Sequence, residues 1–174
     1  MAKSSITYQF YESHCGNLTI GSIEGMLCLC DWTDSKRHSR NISRLKRLLN
    51  ADFRQEKTSI TDTAIRQIEE YFSGTRRLFE IPLLLAGTEL QKRVWIELQN
   101  IPYAATSTYA NIALSCGKAN AVRAIANAIG ANPLSIIIPC HRVIGSSGTL
   151  TGYAGGIPAK RHLIDLERKI VSLQ

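Results

Sequence analysis

The sequence predicts an α+β fold in two parts. Residues 1–86 form an N-terminal α/β support domain with a small antiparallel sheet. Residues 87–174 form a C-terminal domain built around a helix-turn-helix. Three observations carry this reading. β-prone runs fill the first third, helical periodicity follows them, and a tight cluster of short helices begins at Thr88.

The elements follow in chain order. "LTIGSIEGMLCLCDW" holds two β-prone runs joined at Glu24-Gly25, which predicts a hairpin. Cys28 and Cys30 lie two apart and share one face of the second strand. As small apolar side chains they suit a core. The alternative is a metal site with Cys15, His14 or His38, although the spacing fits no standard zinc pattern. "SKRHSRNISRLKRLL" reads as a basic helix with Ile42, Leu45, Leu48 and Leu49 inward and its charges on a solvated face. "TDTAIRQIEEYFSG" is a second helix, with Ile65, Ile68 and Phe72 at helical spacing and Gly74 as its stop. Gly, Thr and Pro over 74–88 mark a soft boundary.

Composition narrows the function classes. Of the 174 residues, 44% are apolar, enough for a real core, and the net charge of +7 suits a polyanionic partner without naming one. No apolar run is long enough to span a membrane, and "MAKSSITYQF" lacks the apolar core of a signal peptide. Five cysteines at irregular spacing argue against a disulfide framework and for a reducing, cytoplasmic setting, nuclear in a eukaryote.

The C-terminal part differs in charge. Residues 98–164 contain no Asp or Glu, but they carry Lys118, Arg123, Arg142, Lys160 and Arg161. A surface facing phosphates needs this, and a buried core segment would also show it. "TELQKRVWIELQNI" is a helix with Thr88 and Gln91 as a capping box and Leu90, Val94 and Leu98 inward. "STYANIALSCGKANAVRAIANAIGAN" reads as helix, turn, helix. Ala113 sits at the crossing and Gly117 at the turn. The second helix is rich in alanine, with Arg123 as its one long side chain. Such a helix approaches DNA closely while reading little sequence. An ordinary helical hairpin within a core is the alternative.

"LSIIIPCHRV" follows. Its apolar run predicts a short buried strand, which Pro139 ends, so that Cys140 faces a cleft from a rigid turn. A thiol with an ordinary pKa of about 8.5 needs a base or a positive field to act as a nucleophile. His141 is adjacent, but neighbours on an extended chain point apart, so a bridging water is expected between them. The histidine in turn needs a carboxylate. Asp165 and Glu167 are the acids available downstream, and Glu167 is the candidate to reach inward from the helix "IPAKRHLIDLERKI", which Pro158 starts and which buries Leu163, Leu166 and Ile170.

"PCHRV" in the context "GANPLSIIIPCHRVIGSSG", followed by "TGYAGG", resembles the active site of the O6-alkylguanine-DNA alkyltransferases. The likeness is clear over residues 88–168 and loose before them. It implies a winged-helix-like C-terminal domain that docks in the minor groove of duplex DNA. It further implies that O6-alkylguanine, and O4-alkylthymine, is flipped out and that the alkyl group moves irreversibly to Cys140. His141 and Glu167 would be linked to that thiol through water. Tyr109 would donate to the guanine ring nitrogen N3, and Arg123 would fill the gap left in the duplex. Asn132 would brace the helix-turn-helix against the active loop. Val143, Tyr153, Ala154, Gly155 and Lys160 would line or close the pocket. The resemblance implies a monomer that needs no cofactor. The N-terminal cysteines and histidines do not match the zinc ligands that some relatives carry, so no required metal is expected. "IPYAATSTY" departs from the family pattern, because alanine (Ala104, Ala105) replaces the glycine usual there. A small backbone adjustment is expected.

Three rivals use the same residues differently. A thiol hydrolase or redox protein would use Cys140 and His141 through many turnovers and would not need Arg123. A DNA-binding regulator would ignore Cys140. A non-catalytic lesion sensor of the same fold would lack the cysteine.

Overall fold

The computed structural model describes residues 4–173. Met1–Lys3, the start of the N-terminal stretch, and Gln174 lie outside the described residues. The chain forms two compact units, which meet in sequence between Ala86 and Gly87.

Unit 1 is a four-stranded sheet with two helices. β1 (Ser4–Ser13), β2 (Gly16–Ile23) and β3 (Met26–Trp32) run antiparallel. Glu24 and Gly25, with φ of 50° and 77°, form the two-residue turn between β2 and β3, where left-handed backbone matches the strand twist. α1 (His38–Leu49) then carries the chain to β4 (Ala51–Gln55), which pairs in parallel with β1. The sheet order is β3-β2-β1-β4. The sheet is therefore mixed rather than purely antiparallel. The sequence hides this parallel edge strand because "ADFRQ" is only five residues long with two apolar positions, Ala51 and Phe53, and because parallel pairing needs a crossover that short-range patterns do not display.

The core of this unit gathers Ile6, Ile23, Cys28, Leu29, Leu45, Ala51 and Ala86. Ile42 and Leu49 pack against it, as expected, but Leu48 is 42% exposed, because the buried stripe of α1 runs through Asn41 and Leu45. Asn41 is inward to meet a buried carboxylate. Asp31 Oδ2 accepts from Asn41 Nδ2 at 3.1 Å and contacts His38 Nδ1 at 2.9 Å. Cys28 lies inside the apolar cluster, where burial pushes its thiol up to about 12, and His14 packs edge-on to Phe72. Among the described residues no three of His, Cys, Asp and Glu gather as metal ligands. α2 (Ser59–Phe72) opens on a Thr58–Thr61 capping box and closes on Gly74. Gly74, at φ 80°, donates to the Tyr71 carbonyl and Thr75 donates to that of Glu70, the paired bonds of a Schellman stop.

Unit 2 begins with α3 (Glu89–Gln99), whose Thr88–Gln91 capping box forms as the sequence indicates. Val94, Trp95 and Leu98 are buried, while Leu90 is half-buried. Trp95 Nε1 donates to the Ala128 carbonyl at 2.9 Å and so ties α3 to the second helix of the helix-turn-helix. A Cβ on Gly87 would lie 2.6 Å from the Trp95 ring, so only glycine lets the chain pass there.

α4 (Tyr109–Ser115) and α5 (Val122–Gly130) form the helix-turn-helix. Ala113 is buried at the crossing, and Gly117 turns the chain at φ 64°. Ile125, Ala128 and Ile129 face inward on α5, and Arg123, Ala124 and Asn127 face outward. β5 (Ser107–Thr108) pairs in parallel with β6 (Val143–Ile144). α6 (Gly156–Ser172) closes the unit, with Leu163, Ile164 and Glu167 buried and Leu166 and Ile170 half-buried.

Candidate active site

The segment before Cys140 is not a strand. Residues 134–138 form a buried turn in which Ile138 N–H donates to the Leu134 carbonyl and Ile137 N–H to that of Ser135. Ile136 sits at φ 70°, which is unusual for a β-branched residue. Four apolar side chains at Leu134, Ile136, Ile137 and Ile138 are buried, so the hydrophobic reading holds while the β reading fails. Tertiary burial overrides the β-propensity of the isoleucines.

Cys140 opens a turn of 3₁₀ helix that spans Cys140–Arg142 and is 8% exposed. Asn132 holds both ends of the preceding turn. Its Oδ1 accepts from Leu134 N–H at 2.9 Å, and its Nδ2 reaches the Ile138 carbonyl at 3.0 Å and Cys140 Sγ at 3.2 Å. The sulfur is therefore fixed by an amide donor that favours developing negative charge.

His141 is fully buried, with Nε2 2.8 Å from Glu167 Oε1. Glu167, 1% exposed, is the centre of the network. Arg142 Nε lies 3.0 Å from Oε2, its Nη2 lies 3.0 Å from Oε1, and its Nη1 donates to the Ile101 carbonyl at 2.7 Å. Ala104 N–H donates to Oε2 at 2.9 Å. Burial works to raise the Glu167 pKa, but the hydrogen bonds and charges of His141 and Arg142 outweigh it and hold the carboxyl at about 2. Burial pushes His141 below its ordinary value, against the pull of Glu167 and helped by the Arg142 and Lys160 charges. The resting centre is thus an ionised Glu167 beside a neutral imidazole, which suits a base.

Lys160 is buried as well. Its Nζ donates to the Val143 and Thr151 carbonyls, at 2.5 and 2.8 Å. Burial lowers its pKa, and the nearby Cys140 opposes that shift. Tyr109 reaches the same Thr151 carbonyl with its hydroxyl at 3.5 Å. Tyr153, Ala154 and Gly155 lead into α6, and the Tyr153 carbonyl accepts from Gly156 N–H. Arg123 stands exposed on α5, outside this hydrogen-bonded cluster.

Cys140, His141, Glu167 and Asn132 are brought together, and Tyr109, Val143 and Lys160 join them around Thr151. Sequence reasoning missed Arg142 as the clamp on Glu167, and the backbone of Ile101 and Ala104. The available signals were a cation beside His141 in an acid-free stretch and an alanine in place of the usual glycine.

Two family models divide the chain between them. The ribonuclease-like domain of 6-O-methylguanine DNA methyltransferase matches residues 6–85, and the DNA binding domain matches 89–169. The chain belongs to this methyltransferase family. A methylated-DNA–protein-cysteine methyltransferase of Methanosarcina barkeri is 42% identical over 92% of this chain and 96% of its own length. One from Mycolicibacterium paratuberculosis is 50% identical over 61% of this chain and 64% of its own. A Mycobacterium tuberculosis OGT crystallised in complex with DNA superposes at a TM-score of 0.80 with 36% identity, covering 94% of each chain. The match to the family's DNA binding domain, residues 89–169, takes in both the acid-free stretch 98–164 and Cys140.

Proposed function

We propose that the protein repairs duplex DNA by moving the alkyl group of O6-alkylguanine, and of O4-alkylthymine, to Cys140, once per molecule. The observation that carries this is the Asn132–Cys140 contact beside the buried His141–Glu167–Arg142 cluster. It is a polarised thiol with a neutral base whose carboxylate partner stays ionised. In this reading residues 1–86 support the fold, and residues 87–174 bind DNA and accept the alkyl group.

The damaged oxygen is enclosed in the duplex, so the base must leave the stack. α5, with its small outward side chains, enters the minor groove, and exposed Arg123 occupies the gap. The Cys140 proton passes through a water to His141, whose positive charge Glu167 balances. The thiolate attacks the alkyl carbon in line. The S–C bond forms, the C–O6 bond breaks, and the electron pair returns to the guanine ring. Tyr109 polarises or protonates N3, and the Tyr153–Gly155 loop and Lys160 shape the pocket wall behind it. A thioether is a poor leaving group, so nothing regenerates the thiol. The protein acts as a monomer, without cofactor or metal, in the cytoplasm or nucleus. No described helix is long and apolar enough to cross a membrane.

Intact mass measurement after incubation with excess O6-methylguanine duplex tests this. The expected result is one added methyl, on the peptide containing Cys140, and none in Cys140→Ala, which still binds the duplex. Turnover beyond one equivalent would replace the reading with a hydrolase.

A further inference from the structure

We propose that Ala104 is a positioning residue of the transfer centre: its backbone N–H, presented from a left-handed conformation, orients Glu167 and through it His141. The inference rests on Cys140 being the alkyl acceptor.

Ala104 has φ of 64°, a conformation that L side chains rarely adopt. Strained backbone persists where its surroundings over-determine it. Here they do so from both sides. Upstream, the Ile101 carbonyl is held by Arg142 Nη1 at 2.7 Å. Within the loop, Ala105 N–H donates to the Pro102 carbonyl at 3.1 Å. Downstream, Ser107 and Thr108 pair with Val143 and Ile144. The left-handed turn between these ties aims the Ala104 N–H at Glu167 Oε2, 2.9 Å away.

Arg142 already grips both carboxylate oxygens, and the Ala104 bond adds a second donor to Oε2 from the fixed backbone rather than from a side chain. Oε1 faces His141 and Arg142 Nη2, and Oε2 faces Arg142 Nε and Ala104 N–H. Rotation about the last carbon–carbon bond of Glu167 would carry Oε1 away from the imidazole. Donors on both oxygens prevent it. The amide also withdraws charge from the carboxylate, so Glu167 holds the imidazole in place without raising its proton affinity enough to keep it charged. The same loop runs straight into Tyr109, so one short segment serves both the group that receives the thiol proton and the group that serves the leaving base.

The test separates the amide from the side chain. Replacing the Ala104 amide with an ester (Ala104→lactic acid, installed during translation) deletes the N–H and keeps the methyl. Single-turnover transfer from O6-methylguanine duplex should slow about tenfold, the size of one lost hydrogen bond to a charged group. Losing the donor makes Glu167 more basic and lets His141 hold a proton to higher pH, so the acid limb of the rate profile should move up. Duplex affinity should not change. Ala104→Gly keeps the N–H and relieves the strained φ. It should match the unmodified protein within about twofold and melt at a higher temperature. An ester protein with unchanged rate and pH profile would overturn the inference while leaving the acceptor role of Cys140 intact. Equal slowing and an equal pH shift in Ala104→Gly, which keeps the N–H, would also overturn it, by assigning the effect to disturbance of the loop rather than to the amide. Unmodified protein that gains no methyl on Cys140 would overturn the acceptor reading and the inference together.

Discussion

Unit 1 is centred on Ile6, Ile23, Leu29 and Leu45, and Cys28, one of its two buried thiols, is kept protonated by that apolar setting. Unit 2 has a comparable apolar layer in Val94, Trp95, Leu98 and Ile125, but it also encloses His141, Arg142, Lys160 and Glu167. The comparison between the two cysteines is instructive. Cys28 makes a weak 3.6 Å contact to the Gly21 carbonyl, an acceptor, whereas Cys140 receives a donor from Asn132. A donor favours the thiolate and an acceptor favours the thiol. Both sulfurs are buried, so exposure does not separate them; the donor on Cys140 does. Buried ion pairs seldom raise stability over an apolar core of equal volume, so the cluster in unit 2 points to chemistry rather than to folding.

The sharpest way to break this contrast is Glu167→Gln. It leaves Arg142 buried with a neutral partner, and breaking a buried pair costs about 3–5 kcal/mol. Urea unfolding should show that loss, and single-turnover transfer should fall by at least about 100-fold as the imidazole loses its carboxylate. Retained transfer would reduce Glu167 to a structural residue.

Arg123→Ala comes next, and it separates binding from chemistry within unit 2. Unstacking a base costs a few kcal/mol, so loss of the side chain that holds the gap should slow duplex repair by about tenfold or more. Reaction with the free modified base should stay within about twofold. Equal loss of both would contradict the gap-filling role.

Acidification gives a smaller effect with a defined sign. Both groups of the central pair have folded pKa values below their unfolded ones. The His141 contribution is complete above its unfolded value of about 6.5 and declines as pH falls through its lower folded value. The Glu167 contribution is complete above about 4.3 and is lost only toward pH of about 2. Chemical unfolding at a series of pH values should show stability falling in two stages, and His141→Gln should flatten the first. A protein whose stability rises on acidification from neutrality to about pH 5 would refute the neutral-imidazole assignment.

The smallest effect is a control inside unit 1. Leu45→Ala should cost about 2–5 kcal/mol, and Leu48→Ala, on the exposed side of the same helix, no more than about 0.5. Equal costs would restore Leu48 to the core.

Local rules carried much of the architecture. The Thr88–Gln91 capping box, the Glu24-Gly25 turn and the Gly74 and Gly117 stops are each specified within four residues. That is why they were legible. The α1 stripe departs from its apolar pattern at Leu48 because a polar residue, Asn41, takes an inward place to meet Asp31, which no apolar count registers. The isoleucine run looks like a strand in sequence because propensity does not anticipate a left-handed Ile136 inside a buried turn. At the site, adjacency suggested Cys140 with His141, and helix spacing offered Glu167. Arg142 escaped because its partners are the Ile101 carbonyl and Glu167, 41 and 25 residues away. Ala104 escaped because its contribution is an amide, which every residue except proline possesses.

The chain contains two tryptophans, and each unit encloses one: Trp32 in β3 and Trp95 in α3. An indole emits toward the blue in apolar surroundings and toward the red once water reaches it. Each half of the molecule therefore carries its own optical reporter. Trp32→Phe leaves emission that follows the DNA-binding half alone, and Trp95→Phe leaves emission that follows the sheet. Melting curves from the two variants, laid over one another, would show whether the halves unfold together or in turn.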